Sequence, residues 1–310
     1  MLGSSLEERE KLGFDKSPQK SEKLNAVTYN GEAHLATIGK TGSGKGRSAV
    51  IPNLLTYNGS AVILDVKGEL YYTTARARRE MGQDVILLDP FHWVYKQPDQ
   101  LNPFDLLYLF GQDDLDVEIQ NLASLMVSKG HLTKEPFWDI SATALLTGVI
   151  AYIVNCKPLN ERNIETVVKF LHSDDLSYQM AVALDTEKSK MGNLAASEFN
   201  AFLSTADVTR GGISPTANSY LKPFNSKKIF KSFSNSTFSL EEFISGKNPT
   251  TVYIVMPPGY IQSHFALVRL WFYTLMKVFT NRREIPELPT MFFLDEVAQF
   301  GEFSVLENVM

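Results

Sequence analysis

Residues 39–46 read Gly39, Lys40, Thr41, Gly42, Ser43, Gly44, Lys45 and Gly46: a glycine, four residues, then Gly-Lys. That is the spacing of a phosphate-binding loop. Glycines let the backbone curl until several N–H groups point at one anion. The helix that follows adds the partial positive charge of its N-terminus, and Lys45 supplies a point charge for β- and γ-phosphates. All eight residues are therefore expected to bind a nucleoside triphosphate, ATP, with Mg²⁺. The pattern normally places Ser or Thr after the lysine to hold the metal, but this chain has Gly46 there. Thr41, Ser48 or water are the replacements left open. Far downstream, the apolar run 291–294 closes on Asp295 and Glu296. This is the form of a strand that offers a metal-shell acid, Asp295, and a general base for the attacking water, Glu296. Its weight comes from standing in the same chain as the phosphate loop. Asp65, closing another apolar run, competes for the metal role.

The elements that must position these groups follow from pattern. Residues 34–38 read as a short strand before the loop, and a helix is expected over 45–57, interrupted by Pro52. Asn58-Gly59 is a turn signal. Residues 60–65 form an apolar run rather than an alternation, as in a parallel sheet buried on both faces. A basic helix over 69–81 ends at Gly82, and 84–88 is the next strand. From 106 to 204 no strand signal occurs, while apolar residues recur at three and four spacings. Helices are expected there over 113–128, 137–155, 162–172 (with Asn160 as N-cap) and 187–203. Strands over 251–256 and 290–294 then flank a helix over 264–282. The class is α/β: a parallel sheet, residues 34–105 and 205–310, interrupted by an all-helical insertion over 106–204. Residues 1–33 read as a polar tail or linker.

Composition bounds the rest. The 310 residues are 44% hydrophobic and 21% charged, an ordinary globular balance. A net charge of −5 lacks the domain-wide basic stripe of a dedicated duplex binder. Nucleic-acid contact would come from local patches or from a pore assembled by several subunits. The single cysteine, Cys156, excludes an intramolecular disulfide and reads as a buried small side chain. The five histidines show no metal-ligand spacing. A membrane-spanning helix needs ~20 mostly apolar residues. Residues 265–279 fall short of that and include Arg269 and Lys277, so the chain is expected to be soluble.

Several motifs occur in order: the 39–46 loop, Ile51-Pro52 with Leu54-Leu55, and residues 64–70 (LDVKGEL). Asp89-Pro90, residues 102–105 (NPFD), Phe137-Trp138 with Leu145-Leu146, and residues 294–301 (LDEVAQFG) follow. In these the chain resembles the type IV secretion coupling proteins, the TraG/TraD group of conjugation ATPases. The resemblance implies a RecA-like P-loop NTPase with an all-helical insertion, assembled as a homo-hexamer at the cytoplasmic face of the bacterial inner membrane. It implies coupling of ATP hydrolysis to delivery of relaxase-bound single-stranded DNA, or protein effectors, into the type IV secretion channel. In that family a glycine after the P-loop lysine is common. Members also carry an N-terminal transmembrane hairpin, and further strands beyond the Asp-Glu strand; a chain without them is expected to have an open sheet edge. The alternative is a non-motor ATP-binding adaptor, or a truncated remnant, whose helical domain recruits protein cargo.

Secondary candidates are weighed against plainer roles. Lys222, Lys227, Lys228 and Lys231 are interleaved with Phe224, Phe230 and Phe233, a pattern suited to single-strand tracking but also to a solvated face with aromatics turned inward. Arg76, Arg78 and Arg79 read as the exposed face of their helix. Arg210, in a Thr-Arg-Gly-Gly segment read as flexible, and Arg269 are candidates for an arginine finger. Trp138 reads as core.

Overall fold

The computed structural model describes residues 3–6, 24–29, 31, 33–40, 44–109, 111, 114–127 and 136–294. Within the expected tail, β1 (Gly3–Leu6) and β2 (Leu24–Val27) pair antiparallel as a separate two-stranded ribbon. The main sheet holds β3 (Ala61–Asp65), β4 (Asp84–Leu88), β5 (Thr250–Val255) and β6 (Met291–Leu294). All its pairings are parallel, in the order β4-β5-β3-β6. Among the described residues, β6 is paired on its β3 side alone.

Alternation along each strand sorts its side chains between two cores. Ala61, Ile63, Leu87, Tyr253 and Val255 meet α1 (Ile51–Thr56) and α2 (Glu69–Glu80) through Leu54, Leu70 and Ala75. Val62, Leu64, Ile86, Leu88, Val252 and Ile254 face the opposite core, which includes Leu267 and Trp271 of α11 (Ile261–Thr280). Burial on both faces explains why these strands read as unbroken apolar runs. Each large side chain so buried contributes about 1.5–3 kcal/mol.

Residues 34–38, expected as a strand, have no regular structure and are exposed; Ile38 is 97% exposed. No strand of the described sheet offers them hydrogen bonds, and a short run cannot hold extended geometry without a partner.

Between β4 and β5 the described elements are helical: α3 (Leu115–Met126), α4 (Pro136–Cys156), α5 (Ile164–Leu171), α6 (Leu176–Thr186), α7 (Lys188–Ser204), α8 (Asp207–Leu221), α9 (Lys227–Ser232) and α10 (Leu240–Ser245). The helical stretch thus runs well past residue 204. Helix α4 is the hub, packed by α3, α5, α7 and α8. By length and composition it is the one described helix able to cross a membrane, yet most of its apolar window is buried in the lobe. It exceeds the 265–279 segment considered from sequence, and its all-round apolarity is that of a core helix. Asn163, not Asn160, caps α5, its side chain accepting from Thr166 N–H.

Helix α8 overturns the reading of residues 209–212 as a flexible segment. Gly212 is helical because it gives Trp138 room: a Cβ there would lie 2.4 Å from the indole ring, so packing outweighs poor propensity. Gly148 does the same between α4 and α7, where an added Cβ would stand 2.6 Å from Glu198 Cβ. Gly211, by contrast, has nothing within 4 Å of such a Cβ. Gly148→Ala is expected to lower unfolding free energy by about 1–3 kcal/mol, and Gly211→Ala to raise it by up to about 1 kcal/mol. Urea denaturation of the two variants checks both signs.

Candidate nucleotide site and its supports

Lys45 opens a helical stretch that begins with a widened turn, Gly46–Val50, and continues as α1. The widening ends where Pro52, lacking an N–H, enters the helix. Gly44 sits at φ 85°, a left-handed backbone that favours glycine. Its carbonyl accepts from both the N–H (2.9 Å) and the hydroxyl (3.0 Å) of Ser48. Lys45 folds back toward the preceding segment, donating to the carbonyls of Gly39 (2.7 Å) and Lys40 (3.3 Å). A Cβ at Gly46 would meet nothing within 4 Å, so space alone does not exclude a hydroxyl there. Thr41, Gly42, Ser43, Asp295 and Glu296 lie outside the described residues. Strand β6 runs as far as Leu294, which pairs in register with Leu64 at the end of β3 where Asp65 stands.

Asp65 has structural work of its own. It is buried, and its carboxylate accepts from the N–H groups of Gly68 (2.8 Å), Tyr71 (2.9 Å) and Lys67 (3.3 Å). Burial pushes its carboxyl pKa up, against the pull of these bonds. The side chain closes the turn into α2, with Gly68 at φ 76°, so both oxygens are engaged by the backbone.

Arg78 corrects the expectation of an exposed arginine face on α2. It has no exposed surface. Its guanidinium donates to Thr251 Oγ1 (2.8 Å) and to the carbonyls of Leu54 (3.2 Å), Gly59 (2.7 Å) and Tyr57. Burial lowers its pKa, while burial pushes the neighbouring Tyr253 phenol up to about 12. The signal was present in the sequence: Leu70, Thr74 and Arg78 are four apart and share the inward face. Arg76 and Arg79 do lie outside, on Glu80 (3.2 Å) and Tyr71 (3.3 Å) respectively.

The remaining candidates separate. Phe224 and Phe233 are buried, Phe233 stacking on Trp271 at 4.4 Å, while Lys222, Lys227, Lys228 and Lys231 are exposed. This is the solvated face with aromatics turned inward. Arg210 is held within the lobe by the Leu203 carbonyl (3.0 Å) and Asp207. Arg269 lies over the Phe265 ring with burial lowering its pKa.

The sequence profile of the type IV secretory system conjugative DNA transfer family matches residues 4–310. The chain belongs to that family. Among its relatives, the conjugal transfer protein TraG of Escherichia coli is 27% identical over 307 residues, covering 93% of this chain and 47% of TraG. Protein VirD4 of Agrobacterium fabrum is 25% identical over 295 residues, covering 92% and 42% respectively. The chain therefore spans about half the length of the curated relatives it matches. The conjugative coupling protein TrwBdeltaN70, in its unbound monoclinic form, superposes with a TM-score of 0.62 at 17% identity, over 87% of this chain and 56% of that one. TrwB in complex with ADP and Mg²⁺ gives 0.53 at 12% identity, over 83% and 61%. These likenesses show the fold: a RecA-like parallel sheet interrupted by helices. In this chain the caged Arg78 and the capping Asp65 are the supports that set α1 and α2 on the sheet.

Arg78→Met fills similar space but leaves several buried carbonyls without donors. It is expected to cost about 2–4 kcal/mol of stability, measured by chemical denaturation, whereas Arg76→Met on the exposed face should stay within about 0.5 kcal/mol.

Proposed function

We propose that this chain is the nucleotide-binding part of an ATP-driven coupling protein that brings relaxase-bound single-stranded DNA, or protein effectors, to a type IV secretion channel. The observation that carries the reading is the Lys45 ammonium, seated on the Gly39 and Lys40 carbonyls over a loop whose Gly44 is left-handed. Neutral carbonyls hold an ammonium less strongly than phosphate oxygens do. A triphosphate entering the loop would therefore take Lys45 over and find the helix N-terminus beneath it. The residues present fit such a ligand: a cation, glycine backbone and no described acid paired to the lysine. Bound Mg²⁺ would supply neutralisation of charge across the β- and γ-oxygens.

In this reading residues 39–46 cradle the phosphates, Asp295 holds the metal shell and Glu296 activates water. Gly46 has no hydroxyl for the metal, and Thr41, Ser48 or water would take that place. The helical insertion over 106–204 recruits cargo, and the whole protein works as a homo-hexamer at the cytoplasmic face of the inner membrane. Support comes from family membership over nearly the whole chain and from the named nucleotide complex of TrwB.

The test uses the full-length protein. Lys45→Ala is expected to weaken ATP binding roughly 10- to 100-fold and to abolish conjugative transfer. Glu296→Gln should keep binding and lose hydrolysis by roughly 10²–10⁴-fold. DNA transfer and ATP turnover at wild-type rates in both variants would overturn the reading.

A further inference from the structure

The segment leaving β4 reads Phe91-His92-Trp93-Val94-Tyr95-Lys96, and the structure fixes it firmly. The wholly buried Asp89 accepts from the N–H groups of Val94 (2.7 Å) and Tyr95 (3.3 Å). The chain turns at His92 with φ 55°, uncommon for a residue with a side chain. The carbonyl of Val94 accepts from the Tyr72 hydroxyl at 2.9 Å. Its side chain lies so close on Gly68 that a Cβ there would be 2.3 Å from Val94 Cγ2. With Val94 pinned inward, its neighbours turn outward: Trp93 is 60% exposed, Tyr95 55%, and Tyr72 68%.

Three exposed aromatic residues thus adjoin one anchored residue, Trp93 and Tyr95 along the chain and Tyr72 through its hydroxyl. Lys96 follows Tyr95, and Lys67, also exposed, precedes the glycine on which Val94 rests. On the 67–72 segment the one exposed acid is Glu69, in the first turn of α2, and no acid occurs from residue 90 to 98. Asp99, the next one, accepts from Leu87 N–H at 2.9 Å.

We propose that Trp93, Tyr95 and Tyr72, flanked by Lys67 and Lys96, form a stacking platform for single-stranded nucleic acid. Every base has a π-face, so exposed rings recognise single strands without regard to sequence, and lysines beside them neutralise phosphates. Because the loop is already fixed by Asp89, Tyr72 and Gly68, little ordering cost falls on binding. The platform deepens the DNA-transfer reading and rests on it.

Trp93 also provides its own probe. Of the three tryptophans, Trp271 is fully buried and Trp138 half-buried against Gly212, so quenching by stacked bases reports on Trp93. The experiment titrates the purified chain with an oligothymidylate, following tryptophan emission and the anisotropy of a labelled strand, with a fluorescent ATP analogue measured in parallel. Expected are quenching that weakens as salt rises, and loss of that quenching in Trp93→Phe with binding retained. The double variant Trp93→Ala, Tyr95→Ala should bind the strand roughly tenfold more weakly with ATP-analogue binding unchanged. Unaltered strand affinity in the double variant overturns the proposal, whether or not its subunit association changes. Strand binding without any Trp93 quenching overturns it too, as does ATP-analogue binding with no strand binding. Strand binding with quenching but no ATP-analogue binding would support the platform and count against the P-loop reading instead.

Discussion

A guanidinium sealed from solvent, with no acid against it among the described residues, organises the sheet and the first two helices packed on it. Arg78 gathers the carbonyls of Leu54, Tyr57 and Gly59 and the Thr251 hydroxyl around one planar fork. Leu54 and Tyr57 belong to the end of α1, where helical carbonyls lose their intrahelical partners. Gly59 opens the turn into β3 and Thr251 lies on β5. One side chain of α2 therefore satisfies the end of α1 and ties it to two strands. Arginine suits the task because its donors are many, planar and fixed in direction. A buried charge without a described counter-ion is tolerable only because so many carbonyl dipoles point at it.

The consequences reach the opposite edge of the sheet. Since α1 ends beside the start of β3, its N-terminus, and Lys45 with it, lies toward the C-terminal ends of the strands. Two buried aspartates organise the backbone at that edge. Asp65 draws in the N–H groups that begin α2, and Asp89 those of the aromatic loop after β4. Ligands of open parallel sheets collect at this edge because the connections there are free to vary while the strands hold them still. On the far face, Trp271 joins sheet and lobe, stacking on Phe233 and donating to the Leu101 carbonyl at 2.9 Å.

Much of this was legible beforehand because buried parallel strands leave an unmistakable apolar signature. The four strands of the main sheet, α2 and α11 fall within a few residues of where the sequence places them, and so do α3, α4, α5 and α7. What escaped was set by tertiary contact. Helix α8 contains Gly211, Gly212 and Pro215, all unfavourable by propensity, yet Trp138 needs the gap that Gly212 leaves. The strand expected over 34–38 has the right composition but no described partner to hydrogen-bond. Arg78 looked like surface because charge suggested it, although its spacing from Leu70 and Thr74 pointed inward. At the candidate site, spacing alone singles out the glycines and Lys45, and the structure adds the left-handed backbone of Gly44. The fold-back of Lys45 onto Gly39, and the engagement of Asp65 by backbone, depend on geometry that no motif states.

The central claim is that the loop over residues 39–46, held by this frame, receives the phosphates of ATP. Hydrogen–deuterium exchange with mass spectrometry, with and without ATP and Mg²⁺, addresses it at the backbone itself. Amides of residues 39–50 should exchange more slowly with nucleotide present, because N–H groups of the loop and first helical turn would be bound to phosphate oxygens. Unchanged exchange across 39–50 at saturating ATP, or protection confined to another part of the chain, would contradict it.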